Sequence, residues 1–221
     1  MIKRSFFPFF LTILLNVSGF AFTDSTYIAQ FNISIISAED DMEERSDGTI
    51  YHGSSDIELA EDLDPVNGVQ TVGLRFQNIP IPQGAIVQEA FLQFTVDEYS
   101  AGNCNLILRG EASDDANPFN TSAFQNISTR PLTSASAAWS PLAWTIIDES
   151  DQFQRSPNIS ALIQEVINRP GWQEGQALSI IINGNGTRVA RSYETNPQQA
   201  AKLILKAVSY THLTLPTTPY V

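Results

Sequence analysis

Between Glu39 and Asp64 the chain reads EDDMEERSDGTIYHGSSDIELAEDLD, and eleven of these positions are acidic, with Arg45 as the only Lys or Arg among them. Nearly half of the 24 carboxylates in the 221 residues lie here, so the formal net charge of -12 is largely a local property. Carboxylates at this density repel one another, and a compact fold has two ways to carry them: splayed into water or gathered around a cation. On the first reading the stretch is a charged edge that discourages unwanted strand pairing. On the second, spacing matters. Asp56 and Glu58 stand two apart, which in a strand puts both on one face, and Asp41 with Glu43 repeats that spacing upstream. Oxygen ligands converging from two neighbouring segments suit Ca²⁺, which makes Asp40, Asp41, Glu43, Glu44, Asp56 and Glu58 candidate ligands of a structural Ca²⁺ site. The EF-hand pattern is absent.

Upstream, Lys3 and Arg4 precede an apolar run from Phe6 to Val17, followed by the small residues Gly19 and Ala21. This is the layout of a secretory signal cleaved after Ala21, and the run is too short and too broken by Pro8 and Asn16 to favour a permanent membrane span. The expected organisation is a signal peptide over 1–21, an N-terminal β-arm over 22–37 and one domain over 38–208, secreted and associated with the cell surface. Cys104 is the single cysteine, so no internal disulfide stabilises the exported domain.

The body of the chain is patterned as strands. Tyr27 to Ser37, Val69 to Gln77, Ile86 to Asp97, Cys104 to Glu111, Ala143 to Ile147, Ala177 to Asn183, Thr187 to Tyr193 and Lys202 to Val208 are β-branched or alternating. In Ile86 to Asp97 the alternation puts Ile86, Ala90, Leu92, Phe94 and Val96 on one face and Glu89, Gln93, Thr95 and Asp97 on the other. Turns are expected at Pro82 to Gly84, at Asn183 to Gly186 and at Asn196-Pro197. One helix is expected after Pro157, where Ile159, Leu162, Ile163, Val166 and Ile167 recur at helical spacing before Arg169-Pro170-Gly171. Short strands with a single helix predict an all-β fold, an antiparallel β-sandwich or jelly roll.

The final residues 209–221 follow the last strand without a turn and resemble translated sequencing-adaptor DNA, which removes His212 from consideration and leaves His52 as the only histidine. One histidine, a remote cysteine and no G-x-S-x-G elbow supply neither a catalytic triad nor a zinc site. A glycosidase acid needs an apolar pocket to raise its pKa, and a charge-dense stretch read as exposed offers none. Catalysis is therefore not expected, and the acidity argues against nucleic acid. What remains is binding or structure. Trp139, Trp144, Trp172 and Tyr193 are the candidate sugar-stacking rings, with Arg155 and Arg191 beside them as hydrogen-bond donors, although Trp in a sandwich of this size is more often core. Sequons stand at Asn32, Asn120, Asn126, Asn158 and Asn185 and make the chain a glycoprotein if its host glycosylates.

The strings DDMEERSDGTIYHGSSDIEL, QTVGLRFQNIPIPQGAIVQEAFLQFTVDE, LRGEASDDANPF, NISTRPLTSASAAWSPLAW, ALIQEVINRPGW and TRVARSYE resemble a secreted β-sandwich module of environmental bacteria. That module is often appended to extracellular phosphatases, sugar dehydrogenases and adhesion-type proteins, and is similar in plan to DNRLRE-type, carbohydrate-binding-like jelly rolls. The chain also resembles subunits of extracellular helical fibrils found in environmental water. The resemblance covers Ser34 to Val208 and implies a non-catalytic structural or accessory domain in which the acidic segment is a family feature. Two hypotheses follow. In one, the chain is a surface filament subunit whose arm adds as a strand to a neighbouring copy; in the other, it is a carbohydrate-binding module that holds a larger enzyme or adhesin on polysaccharide.

Overall fold

The computed structural model describes residues 25–63 and 68–211; the expected signal segment 1–21, Asp64 and His212 lie outside the described residues. Eleven strands and one helix follow in order: β1 (Ser25–Ser34), β2 (Asp41–Arg45), β3 (Ile50–Tyr51), β4 (Asp56–Glu58), β5 (Gln70–Phe76), β6 (Ile86–Gln93), β7 (Asn105–Gly110), β8 (Ala137–Trp139), α1 (Ser160–Ile167), β9 (Leu178–Asn185), β10 (Val189–Arg191) and β11 (Lys202–Thr211). All named pairings are antiparallel.

A six-stranded sheet in the order β3-β2-β5-β9-β7-β8 faces a three-stranded sheet in the order β1-β11-β6. Alternation explains the packing: along β7, Leu106 and Leu108 point inward while Asn105, Ile107 and Arg109 point out. Opposite them stand Ala90 and Leu92 of β6 and Leu203 and Leu205 of β11, all buried in one core. The chain is thus mostly β, with antiparallel sheets in sandwich-like packing and one short helix. Helix α1 closes one side of the sandwich with Leu162, Ile163, Val166 and Ile167, the apolar positions set by helical spacing. The β4-β10 ribbon lies against β2 and β5 and contributes Ile57 and Ala190 to the same core.

A second, smaller cluster lies on the outer face of the six-stranded sheet, where Met42, Phe119, Ile127 and Ile181 meet. It exists because Gly73 on β5 has no side chain: a Cβ there would stand 2.5 Å from the Phe119 ring. The loop that carries Phe119 and Ile127 is thereby drawn down onto β2 and β5.

Three expectations are corrected. Ile86 does not share the face of Ala90 and Leu92; a β-bulge in the β6-β11 pairing puts Val87 opposite Ala207 and inward, and leaves Ile86 48% exposed. Ala143 to Ile147 is not a strand: only Trp144 makes a bridge, to Ser100, and Ile146 and Ile147 are exposed. Asn183 to Gly186 is not simply a turn, since Asn183, Gly184 and Asn185 continue β9 and pair with Ile107, Leu106 and Asn105. Gly184 is required there because a Cβ would meet the Asn105 carbonyl oxygen.

The segment read as an arm forms β1 and pairs with β11 of its own chain over ten residues, from Ser25↔Thr211 to Ser34↔Lys202. Strand β11 runs through Ser209, Tyr210 and Thr211, three residues into the stretch read as foreign.

Candidate functional site

The acidic segment becomes β2, β3 and β4, and its carboxylates take a course the sequence reading did not weigh. Asp40, Asp41, Glu43 and Glu44 are all buried, between 0% and 4% exposed. Buried carboxylates are tolerated when donors meet them, and here the donors come from distant parts of the chain. Asp40 accepts from Arg75 Nη1 at 2.6 Å and from Gln77 Nε2 at 2.7 Å. Glu44 Oε2 accepts the backbone N–H groups of Ile127 and Ser128 at 2.7 and 2.9 Å. These two acids act as structural anchors, each with its donors supplied by the protein.

Asp41 and Glu43 share the opposite face of β2, toward Leu74 and Val72 on β5. Asp41 Oδ2 accepts the Tyr193 N–H at 2.8 Å, and Glu43 Oε1 accepts the Glu58 N–H at 2.6 Å. Their second oxygens, Asp41 Oδ1 and Glu43 Oε2, are buried without a hydrogen-bond partner among the described residues. Burial pushes the Asp41 carboxyl up to about 8. Burial, reinforced by the adjoining Glu58 carboxyl, pushes Glu43 up to about 10, and Glu58 is raised in turn, first by its own burial.

On β4, Asp56 and Glu58 are half-buried on one face, as their spacing requires, while Ile57 between them enters the core. Asp56 accepts the Ser54 hydroxyl at 3.0 Å. It also lies in a group with Asp97 and Glu98 whose carboxylate oxygens fall within 4.8 Å of one another. Arg191, opposite Asp56 on β10, forms ion pairs with Asp97 and Asp148 and supplies positive charge to that group. Asp97, Glu98 and Asp148 were absent from the sequence-derived set, because no local spacing links them to Asp56.

The stacking rings are placed differently from the glycan-binding expectation. Trp144 and Trp172 are 0% and 2% exposed and Trp139 is 9% exposed. Trp139 and Trp144 pack with Phe94 at centroid separations of 5.8 to 6.3 Å, and the Trp172 indole N–H donates to the Ile81 carbonyl at 2.9 Å. A ring enclosed on both faces cannot stack on a sugar, so these three positions are core residues. Tyr193 is half-buried against the same core, and Arg155 donates to Gln93 Oε1 at 2.9 Å with its guanidinium near Phe91. Among the described residues, the Phe and Tyr rings that face solvent are Tyr99, Phe124, Phe153 and Tyr51.

Of the sequon residues, Asn32, Asn120, Asn158 and Asn185 are exposed and Asn126 is half-buried, its Oδ1 accepting from Arg130 and from the Asn120 N–H. Arg130 and its ion-pair partner Glu111 line an open cleft of about 450 Å³ with Asn117, Asn120 and Asn126. Among the described residues, no helix is long and apolar enough to cross a membrane.

No family profile and no curated protein matches the chain. Among solved structures, the chain is similar to the CBM22-1-GH10 modules of the N-terminal endo-1,4-beta-D-xylanase 10B of Clostridium thermocellum, determined with xylohexaose. The similarity has a TM-score of 0.25 and 8% identity, and covers 85% of this chain and 29% of that one. The chain thus spans less than a third of the length of that structure, and a likeness at this level assigns no ligand.

Proposed function

We propose that the chain is a non-catalytic extracellular structural subunit that assembles into a filament by β-strand addition, with β1 as the strand exchanged between copies. The observation that supports this is the position of β1: a ten-residue edge strand held in its sheet by one neighbour, β11. Its inward side chains Phe31 and Ile33 are half-buried, whereas Leu203 and Leu205 beneath them on β11 are fully buried. Lifting β1 away leaves β11 as an open edge above an apolar row, and the β1 of a second copy meets it with identical chemistry. A hinge is at hand in the exposed turn after Ile35, where Ile36 is 50% exposed and the Asp40 N–H closes on the Ser37 carbonyl.

The alternative, a carbohydrate-binding module of a larger secreted enzyme or adhesin, loses its tryptophan platform and falls back on the cleft beside Arg130 and on the exposed rings. Strand addition is the better supported of the two.

Its test uses the register of β1 against β11, in which Gln30 stands opposite Lys206. Two variants, Gln30→Cys and Lys206→Cys, are mixed and oxidised. A disulfide-linked heterodimer in excess over the two homodimers is expected when one copy's β1 lies on the other copy's β11, and negative-stain microscopy of the unmodified chain should show filaments that disappear when 22–37 is deleted. Monodisperse monomer in every sample, with no heterodimer, would sink the reading.

A further inference from the structure

We propose that the turn between β2 and β3 and the loop of residues 120–130 form a saccharide-binding site, with the Phe124 ring as stacking surface and Arg45, Ser46, Thr71, Gln125 and Ser128 as the groups that meet sugar hydroxyls. The site belongs to the six-stranded sheet, whereas β1 and β11 belong to the other, so the inference is independent of strand exchange. It begins from a ring that is exposed and yet fixed. Phe124 is 66% exposed, but its ring lies directly on Gly48 of the β2-β3 turn, where a Cβ would stand 2.6 Å from the ring's Cζ. The backbone holds that seat from both sides. Gly48 takes a φ of +86° and Gln125, next to the ring, one of +54°, while the Gln125 N–H donates to the Gly48 carbonyl at 2.8 Å. Left-handed backbone at a residue other than glycine is strained, and such strain gathers where a side chain is held in place for a ligand.

Two open clefts adjoin the ring. One, of about 210 Å³, is lined by Gly48 together with Arg45, Ser46, Thr71, Gln125 and Ser128; the other, of about 200 Å³, is lined by Phe124 itself with Thr49, Thr121 and Ser122. In the first, none of the five polar side chains makes a hydrogen bond among the described residues, and the Arg45 guanidinium lies over the Tyr51 ring at 4.2 Å. The clefts at Arg130 and Arg188 are the opposite case. Arg130 donates to Glu111 and to the carbonyls of Asn117, Pro118 and Asn126, and Arg188 donates to four backbone carbonyls. Their donors are taken up by the fold; those beside Phe124 are open to a ligand.

A ring in water flanked by unpaired hydroxyl, amide and guanidinium groups matches a sugar, which offers an apolar C–H face with hydroxyls at its rim. Pockets that enclose a small molecule run to roughly 300–1,000 Å³, and these clefts are smaller and open, so they suit a polysaccharide lying across Phe124. A protein partner would need an apolar core within roughly 800 Å² of surface on each side, and one ring among hydroxyls does not supply it.

The experiment is affinity electrophoresis of the whole secreted chain through native gels that contain xylan, mixed-linkage β-glucan, galactomannan or alginate, for the native sequence and for Phe124→Ala, Thr71→Val and Phe153→Ala. Phe153 is an exposed ring outside the site and serves as control. Thermal unfolding checks that each variant keeps the native fold. We expect at least one polysaccharide to retard the native chain. Removing the stacking ring in Phe124→Ala should weaken the affinity about tenfold or more, and removing one hydroxyl in Thr71→Val about threefold, while Phe153→Ala binds as the native chain does. A native chain that none of the four polysaccharides retards overturns the proposal. Retardation that persists undiminished in folded Phe124→Ala, or that Phe153→Ala abolishes equally, overturns it too. If Phe124→Ala fails to fold, Phe124→Leu, which keeps apolar bulk without a flat face, decides in its place.

Discussion

Glu44 and Arg188 show how single polar side chains hold the irregular parts of this sandwich. Glu44 draws the Ile127 and Ser128 amides onto β2 across a separation of more than 80 residues. Replacing it by Ala strands the buried Ile127 N–H, at about 1–3 kcal/mol, and leaves the Ser128 N–H to water, whereas Gln keeps one acceptor oxygen. Chemical denaturation should therefore rank native above Glu44→Gln and Glu44→Gln above Glu44→Ala; equal midpoints for the three would show that the loop does not depend on this contact. Arg188 is 1% exposed and donates to four backbone carbonyls, those of Leu142, Thr187, Gly102 and Pro141. Lysine retains the charge but not the planar fork of donors, so Arg188→Lys should lose on the order of 2–3 kcal/mol. An unchanged denaturation midpoint would refute that role. Neither residue announces itself in the sequence: DDMEER reads as a wet edge, and the carbonyls that Arg188 gathers come from three separate loops. Patterning reports whether a residue is charged, but the partner that makes burial tolerable lies far along the chain.

At the scale of elements, what the sequence did carry was periodicity. The alternation of β7 and the helical spacing of Leu162, Ile163, Val166 and Ile167 both emerge as buried faces. Periodicity failed where one residue changes the phase, as at the β6 bulge, and where strands are too short to show a period, as in β3, β4 and β8. The candidate site was legible in part: Asp56 with Glu58 and Asp41 with Glu43 do share faces, but the contact between the two pairs is tertiary. Gly73 tests how tightly the outer cluster is fitted to its sheet. Gly73→Ala should cost about 1–3 kcal/mol through the Phe119 ring. Phe119→Leu in the same chain should recover part of that loss, since neighbouring substitutions couple. A double variant no more stable than the sum of the single losses would place the strain elsewhere.

For the whole molecule, the net charge of -12 sets a condition on assembly. Copies of one acidic chain repel as they approach, and the proposed strand exchange would have to overcome that repulsion before β1 met a foreign β11. Screening shortens its range: the Debye length falls from about 30 Å at 0.01 M salt to about 8 Å at 0.15 M. The contact itself, a backbone ladder over an apolar row, is little affected by salt. Raising sodium chloride across that interval should therefore increase the assembled fraction of the native chain, measured by light scattering and size-exclusion chromatography at fixed protein concentration. A chain lacking 22–37 bares the β11 edge but has no β1 to donate, so it should form no filaments at either salt, whatever irregular association that edge allows. Filaments of the truncated chain would remove β1 from the explanation, and assembly that weakens with salt would mean that ion pairs, rather than the strand ladder, join the copies.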